Sequence, residues 1–272
     1  MPHIGVYTNC QGGIIYQEFL SKLSYFNEWD FSFIENYTFI KEKIELDKEI
    51  IGEFDIFLYQ PVVEHHGIYT TMTDNGILGM LKPSCIRICF PCVYADIWPI
   101  FEENGKYHGE IIITDLISKG LTIEDIQEKF EKKELFFNLK ERFERSQEHM
   151  RKREEFCHIK SISSYIEQNI QCTRLFYTQN HPTEDFFAYI AYEITIYLEK
   201  TLGRTIIEPI DYSDNFSSKI LVYYDSIFMK NEIGLEYMSK DEEYDLWNYI
   251  SFLYKKNITP LTKTQLEIKP TH

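Results

Sequence analysis

Short apolar segments alternate with helix-period stretches through the first two-thirds of this chain. His3–Tyr7, Phe31–Ile34, Asp55–Tyr59, Cys85–Phe90 and Arg174–Thr178 read as strands. Between them, Gly12 to Leu23 carries Ile15, Phe19, Leu20 and Leu23 on one helical face. Phe39 to Ile51 does the same with Ile40, Ile44, Ile50 and Ile51, and Thr73 to Leu81 is a shorter candidate. Strands alternating with helices predict an α/β fold, a mostly parallel sheet covered on both sides.

Past the fourth strand the pattern changes. Thr122-Ile123-Glu124-Asp125 is close to a capping box, with Asp in place of Glu. It opens a charged helical region running to Cys157, expected as a solvated pair packed on the sheet by Ile126, Phe130, Leu139 and Phe143. Ser161 to Ile170 and Thr183 to Leu202 are further helices, the second stopped by Gly203. The tail mixes a strand-like Lys219–Tyr224 with a helix from Asp241 to Tyr254. The expectation is one α/β domain over residues 1–204, with a charged helical insertion at about 120–160. Residues 205–272 would form a C-terminal extension packed on it.

Composition narrows the function. The 272 residues hold 43 acidic against 28 basic side chains, a formal charge of −15. A field of that sign repels nucleic-acid backbones and anionic lipid surfaces, but leaves room for a local basic pocket. No apolar run reaches the length of a membrane span, and the N-terminus lacks a signal-peptide pattern, so a cytoplasmic protein is expected. There the six cysteines should be free thiols. Cys89-Phe90-Pro91-Cys92 is formally a CxxC, but no second pair completes a zinc set. Cys85 and Cys89 alternate onto one strand face, as buried structural residues would. No metal is expected. Aromatics make up 16% of the chain, enough both to fill a core and to line a cleft.

The candidate chemistry gathers in loops after strands, where open parallel sheets place their sites. Asn9-Cys10-Gln11-Gly12-Gly13 follows the first strand and opens the first helix. A thiol there would meet unpaired N–H groups that favour its thiolate, and the glycines would allow a ligand close to the backbone. Gln60, after the third strand, could donate its amide to an oxyanion. The neighbouring His65 and His66 make a poor metal pair. Phe90 through Pro99, with Tyr94 and Trp98, is aromatic and carries two prolines, which suits a rigid apolar wall and core packing equally. Asn180-His181-Pro182-Thr183 follows the last strand, with Thr183 suited to cap the next helix. A thiol, an imidazole, amides and aromatics thus converge on one rim.

Taken together, Asn9-Cys10-Gln11-Gly12, Tyr59-Gln60-Pro61, Phe90-Pro91 with its sequel to Trp98-Pro99, and Asn180-His181-Pro182-Thr183 resemble the WcbI family of polysaccharide-biosynthesis proteins. The resemblance spans residues 3 to 203. It implies a three-layer fold similar to SGNH hydrolases and binding of coenzyme A or acetyl-CoA. The implied activity is acetyl transfer to a sugar of a capsular or surface polysaccharide. Cys10 and His181 would be catalytic, with Asn9, Gln11, Gly12, Gln60 and Asn180 as oxyanion or substrate contacts. The chain has Cys where SGNH hydrolases have Ser, and Gln179-Asn180 where an Asp would precede the histidine.

Coenzyme A is polyanionic, so an acidic chain must supply local cations. Lys82, Arg87, Lys106, Arg174 and Arg204 are candidates, and Tyr69, Arg87, Tyr94, Trp98 and Arg174 the expected coenzyme contacts. The partners would be a small acyl donor and a sugar acceptor, with self-association left open. Two other classes share these residues: a Cys/His esterase or thioesterase, and a non-catalytic module of a glycan-assembly complex.

Overall fold

The computed structural model describes residues 1–97, 102–103, 106–206, 232, 234, 247, 250, 251, 254 and 255, with backbone alone at 102–103 and 106–111. They fall into two compact units. The first comprises Met1–Ala95, Arg145–Ile170 and the chain from Arg174 through the end of the last long helix. The second comprises Asp96–Glu144, Gln171–Thr173 and the described residues beyond.

The first unit is built on a four-stranded parallel sheet of order β2-β1-β3-β4, namely β1 His3–Thr8, β2 Asp30–Glu35, β3 Ile56–Tyr59 and β4 Ile86–Cys89. In-register pairs such as Val6 with Phe33 and with Leu58 put even and odd residues on opposite faces. Both faces are apolar, as buried parallel strands require. Tyr7, Phe57, Tyr59 and Cys89 share a cluster with Phe54, Leu46, Ile51 and Cys157 on one face. Position 5 lies on that face and takes glycine because an added Cβ would stand 2.4 Å from the Phe54 ring.

Ile4, Val6, Leu58 and Ile88 occupy the other face, and all are buried. It is covered by α1, Cys10–Ile14, which continues as a π-helical turn Ile15–Phe19 and a 3₁₀ turn Leu20–Lys22. Tyr16 stacks on Phe31 there at 4.8 Å. The long helix α8, Glu184–Leu202, packs against Ile15–Phe19 and ends at Gly203 in the left-handed region, φ 63°. Helix α7, Ile162–Asn169, stacks Tyr165 on Phe186 of α8.

Three local expectations are corrected. The helix expected over Phe39–Ile51 is two: α2, Asn36–Glu42, stops at Lys43 with φ 54°, and α3, Lys48–Gly52, starts afresh under the Asp47 cap. Thr73 to Leu81 contains only a 3₁₀ turn, Ile77–Met80. The fifth strand, β7 Phe176–Thr178, does not extend the parallel sheet. It pairs antiparallel with β8 His181–Pro182, and the backbone N–H of Ala95 reaches this hairpin at Gln179 O, 2.7 Å.

In the second unit, β5 Glu102–Glu103 pairs antiparallel with β6 Lys106–Tyr107, and α4 follows over His108–Ser118. Helix α5, Ile123–Glu131, carries the expected capping box, with Thr122 and Asp125 each satisfying the other's backbone N–H. Its Ile126 and Phe130 are buried, and Phe130 packs on Trp247 at 5.3 Å. The division between units falls within α6, Leu139–Glu154. Arg142 there forms a buried bidentate ion pair with Asp96. Lys219–Tyr224 lies outside the described residues; of the helix expected at Asp241–Tyr254, the described residues 247, 250, 251 and 254 are helical. Among the described residues, no helix is long and apolar enough to cross a membrane.

Candidate active site

The strand order reverses between β1 and β3, so the crevice at their carboxyl ends is where a doubly wound sheet binds ligands. Asn9 and Gln60 follow those two strands directly. Asn9 leaves β1 extended and caps α1, its Oδ1 accepting the Gln11 N–H at 2.9 Å. Its own N–H donates to Gln60 Oε1 at 3.0 Å, and its Nδ2 to Cys92 Sγ at 3.0 Å.

Gln60 is 2% exposed, and its Nε2 has no hydrogen-bond partner. Because the Asn9 N–H requires an acceptor, the amide cannot be turned round to hide the orphan. Such a group ordinarily costs about 1–3 kcal/mol. Gln60 is one of the residues lining a cavity of about 490 Å³ in the first unit. Asn9, Asn36 and His66 supply further polar lining; Tyr37, Val63 and Phe156 form an apolar, exposed mouth; Lys152 and Arg153 stand at one lip.

Gln11 ties the histidine turn to this region. It is 3% exposed, and its Nε2 donates to Val93 O at 2.8 Å and to Asn180 O at 2.7 Å, while its Oε1 accepts the Val93 N–H at 3.0 Å. The residues beside Cys10 and His181 are therefore bonded directly to each other, although their strands are not neighbours in one sheet. Gln11 is a bracket in the fold, with its amide fully committed, and not a free substrate contact.

His181 is exposed, and its Nδ1 meets Thr178 Oγ1; the same hydroxyl lies 3.4 Å from Asn180 Oδ1. If the hydroxyl proton goes to Asn180, Thr178 accepts the Nδ1–H and Nε2 is left as the basic nitrogen. Partial loss of hydration lowers the imidazole pKa, so the ring is neutral at pH 7. Thr178 is thus the group that holds the orientation of the imidazole.

Cys10 is an exposed free thiol at the first position of α1. Its pKa is raised, by lost hydration first and the Glu35 carboxylate second, against weaker help from the Gln11 N–H and its own. The expected thiolate stabilisation is thus overturned: five residues of α-helix and two N–H groups do not outweigh desolvation beside an acid. Gly12 departs from expectation too. It sits close to β1, where a Cβ would fall 2.1 Å from Thr8 Oγ1, so it serves helix packing and not ligand approach.

The expected coenzyme contacts scatter. Tyr69 is a core residue whose hydroxyl donates to Ile44 O at 2.9 Å. Arg87 faces Asp74 at 3.5 Å, and Lys82 pairs with Asp55 ahead of β4, at the opposite end of the sheet from the crevice. Arg174 is not among the cavity residues, and Trp98 lies outside the described residues. Tyr94 is not among the cavity residues either, but Arg153, which is, lies over its ring at 4.8 Å, and its hydroxyl meets His149 Nδ1 at 3.1 Å. Thr183 caps α8 only by backbone conformation, its hydroxyl donating to Arg174 O at 3.1 Å. Lys152, Arg153 and Phe156 were not anticipated. Their one sequence signal is the Arg151-Lys152-Arg153 run ending a charged helix, which reads first as dipole compensation.

A family model described as the polysaccharide biosynthesis enzyme WcbI matches residues 3–200. The chain belongs to the WcbI family. No curated protein matches it. Among solved structures it is similar to a WcbI described as a novel polysaccharide biosynthesis enzyme, in its native form without a disulfide bond between coenzyme A and one of its cysteines. The TM-score is 0.64 at 17% identity, covering 95% of this chain and 91% of that one, which shows a shared fold.

Proposed function

We propose that this WcbI-family protein transfers an acyl group, acetyl in the simplest case, from coenzyme A to a hydroxyl of a capsular or surface polysaccharide sugar. The observation that carries the reading is the Gln60 amide, buried, unpartnered and held at the crevice by the Asn9 N–H. A preorganised donor of this kind is what a tetrahedral oxyanion requires. The family's polysaccharide role and the coenzyme named with the similar structure support the donor and acceptor classes.

In this scheme His181 Nε2 takes the proton of the sugar hydroxyl as its oxygen attacks the thioester carbonyl. The oxyanion is stabilised by Gln60 Nε2. Collapse breaks the C–S bond, and the leaving thiolate recovers the proton from His181. The raised Cys10 pKa favours this direct route. A covalent route would first move the Cys10 proton to His181 and carry the acyl group as a thioester on Sγ. Acyl-CoA chemistry and free thiols both suit a cytoplasmic setting.

The test follows thiol release from acetyl-CoA with a panel of sugar acceptors. Gln60→Glu keeps the acceptor for the Asn9 N–H but puts an anion where the oxyanion forms, and should lower the rate about 10²–10³-fold. His181→Ala should abolish transfer. Full activity in both variants would refute the scheme, and release independent of any sugar would identify a thioesterase instead.

A further inference from the structure

Arg153 lies in the last turn of α6 with its neighbours Arg151 and Lys152, yet the three are not equivalent. Arg151 meets Glu148 and Glu167, and Lys152 meets Glu148 at 3.2 Å. Arg153 forms no ion pair with a carboxylate among the described residues, in a chain with a net charge of −15. Dipole compensation explains three cations at a helix end, but not why one at a cavity lip has no carboxylate partner among the described residues. Its guanidinium lies over the Tyr94 ring and makes one long hydrogen bond, to Cys92 O at 3.4 Å, leaving most of its donors unused. The helix end is itself fixed to β4: the N–H groups of His158 and Ile159 donate to Cys89 O, and the Cys89 N–H donates to His158 Nδ1 at 2.8 Å. A planar donor fork on a fixed mount, beside a lysine and lining the same cavity as Gln60, fits a phosphoryl group.

We infer that the Lys152–Arg153 lip seats a phosphoryl group of the ligand bound in this cavity. The inference deepens the acyl-transfer reading and rests on it only for the ligand's name; two sources share the chemistry, the phosphates of coenzyme A and those of a nucleotide-linked sugar. Glu148 keeps Lys152 in reserve, and the apolar mouth of Tyr37, Val63 and Phe156 accommodates the uncharged part of either molecule.

Calorimetric titration of the full chain with coenzyme A, with pantetheine and with a uridine diphosphate sugar separates these. Arg153→Ala should weaken the phosphate-bearing ligand by about tenfold or more, leave pantetheine unchanged, and flatten the salt dependence of binding. Lys152→Gln, at an exposed position, removes the charge without setting a second carboxylate beside Glu148 and should weaken the same ligand. Loss confined to coenzyme A identifies the donor's phosphates; loss confined to the nucleotide sugar identifies the acceptor's. Coenzyme A that binds equally well to wild type and both variants, with no effect on the nucleotide sugar, overturns the phosphate seat while leaving the donor intact. Failure of coenzyme A to bind wild type, with nucleotide-sugar binding still dependent on Arg153, removes the donor but upholds the seat. Absence of any phosphate-ligand binding overturns the seat.

Discussion

Replacing Gln11 with Met removes the polar bracket between the thiol and imidazole turns while preserving side-chain length. Three hydrogen bonds disappear: two to Val93 and one to Asn180. Val93 is 0% exposed, so its N–H and carbonyl would be left without water or protein partners. At about 1–3 kcal/mol for each orphaned group, the two together cost about 2–6 kcal/mol. Asn180 is exposed and can turn to solvent, so its carbonyl adds little. Burial of the apolar Met returns about 1 kcal/mol, for a net loss of about 1–5 kcal/mol. Urea unfolding of wild type and variant would show this as a midpoint lowered by about 1 M. Native-state hydrogen exchange at the Val93 amide gives a local readout, because that proton loses its acceptor. Acyl transfer should fall further than stability does, since the turn carrying His181 loses its tie to α1. A variant within about 0.5 kcal/mol of wild type, with Val93 still protected, would refute the bracket.

Other outcomes follow from the same coordinates. Acyl transfer should be level near neutral pH and decline on the acid side below the ordinary imidazole pKa of 6.5, because desolvation keeps His181 unprotonated until lower pH; a rate that climbs only as the Cys10 thiol ionises, above its ordinary 9.0, would point to the covalent route. Gly12→Ala drives a Cβ into Thr8 and should cost about 1–3 kcal/mol, with much of the loss recovered when Thr8→Ala is added, measured by a double-mutant cycle. Asp96→Ala removes the carboxylate paired with buried Arg142 and should destabilise by about 3–5 kcal/mol in thermal unfolding, whereas replacing both partners with apolar residues should cost much less. Thr122→Ala removes one half of a capping box and should cost about 1 kcal/mol.

Much of this architecture was legible before any coordinates. The continuous apolar character of His3–Tyr7 and Asp55–Tyr59 announces strands buried on both faces, and Thr122 with Asp125 announces a helix start, because these signals are local. The break at Lys43 was invisible, since the isoleucines on either side keep helical period across a left-handed residue that nothing in a lysine advertises. The Phe176–Thr178 segment looked like one more sheet strand because β-propensity does not name a partner. At the site, Asn9, Gln60 and the histidine turn could be nominated from their places after strands. Their division of labour could not: whether Gln11 or Gln60 carries the spare amide depends on hydrogen bonds to residues dozens of positions away. Arg153 was hidden for the converse reason, a functional-looking cation set in a run whose local chemistry already has an ordinary explanation.

The uneven accommodation of the six thiols has a practical use. Cys85, Cys89 and Cys157 are enclosed, Cys92 is half covered, and only Cys10 and Cys172 face solvent. Substituting Cys172 alone would give an almost singly addressable molecule, so that a fluorophore or spin label placed on the remaining accessible sulfur reports occupancy of the crevice without re-engineering the core.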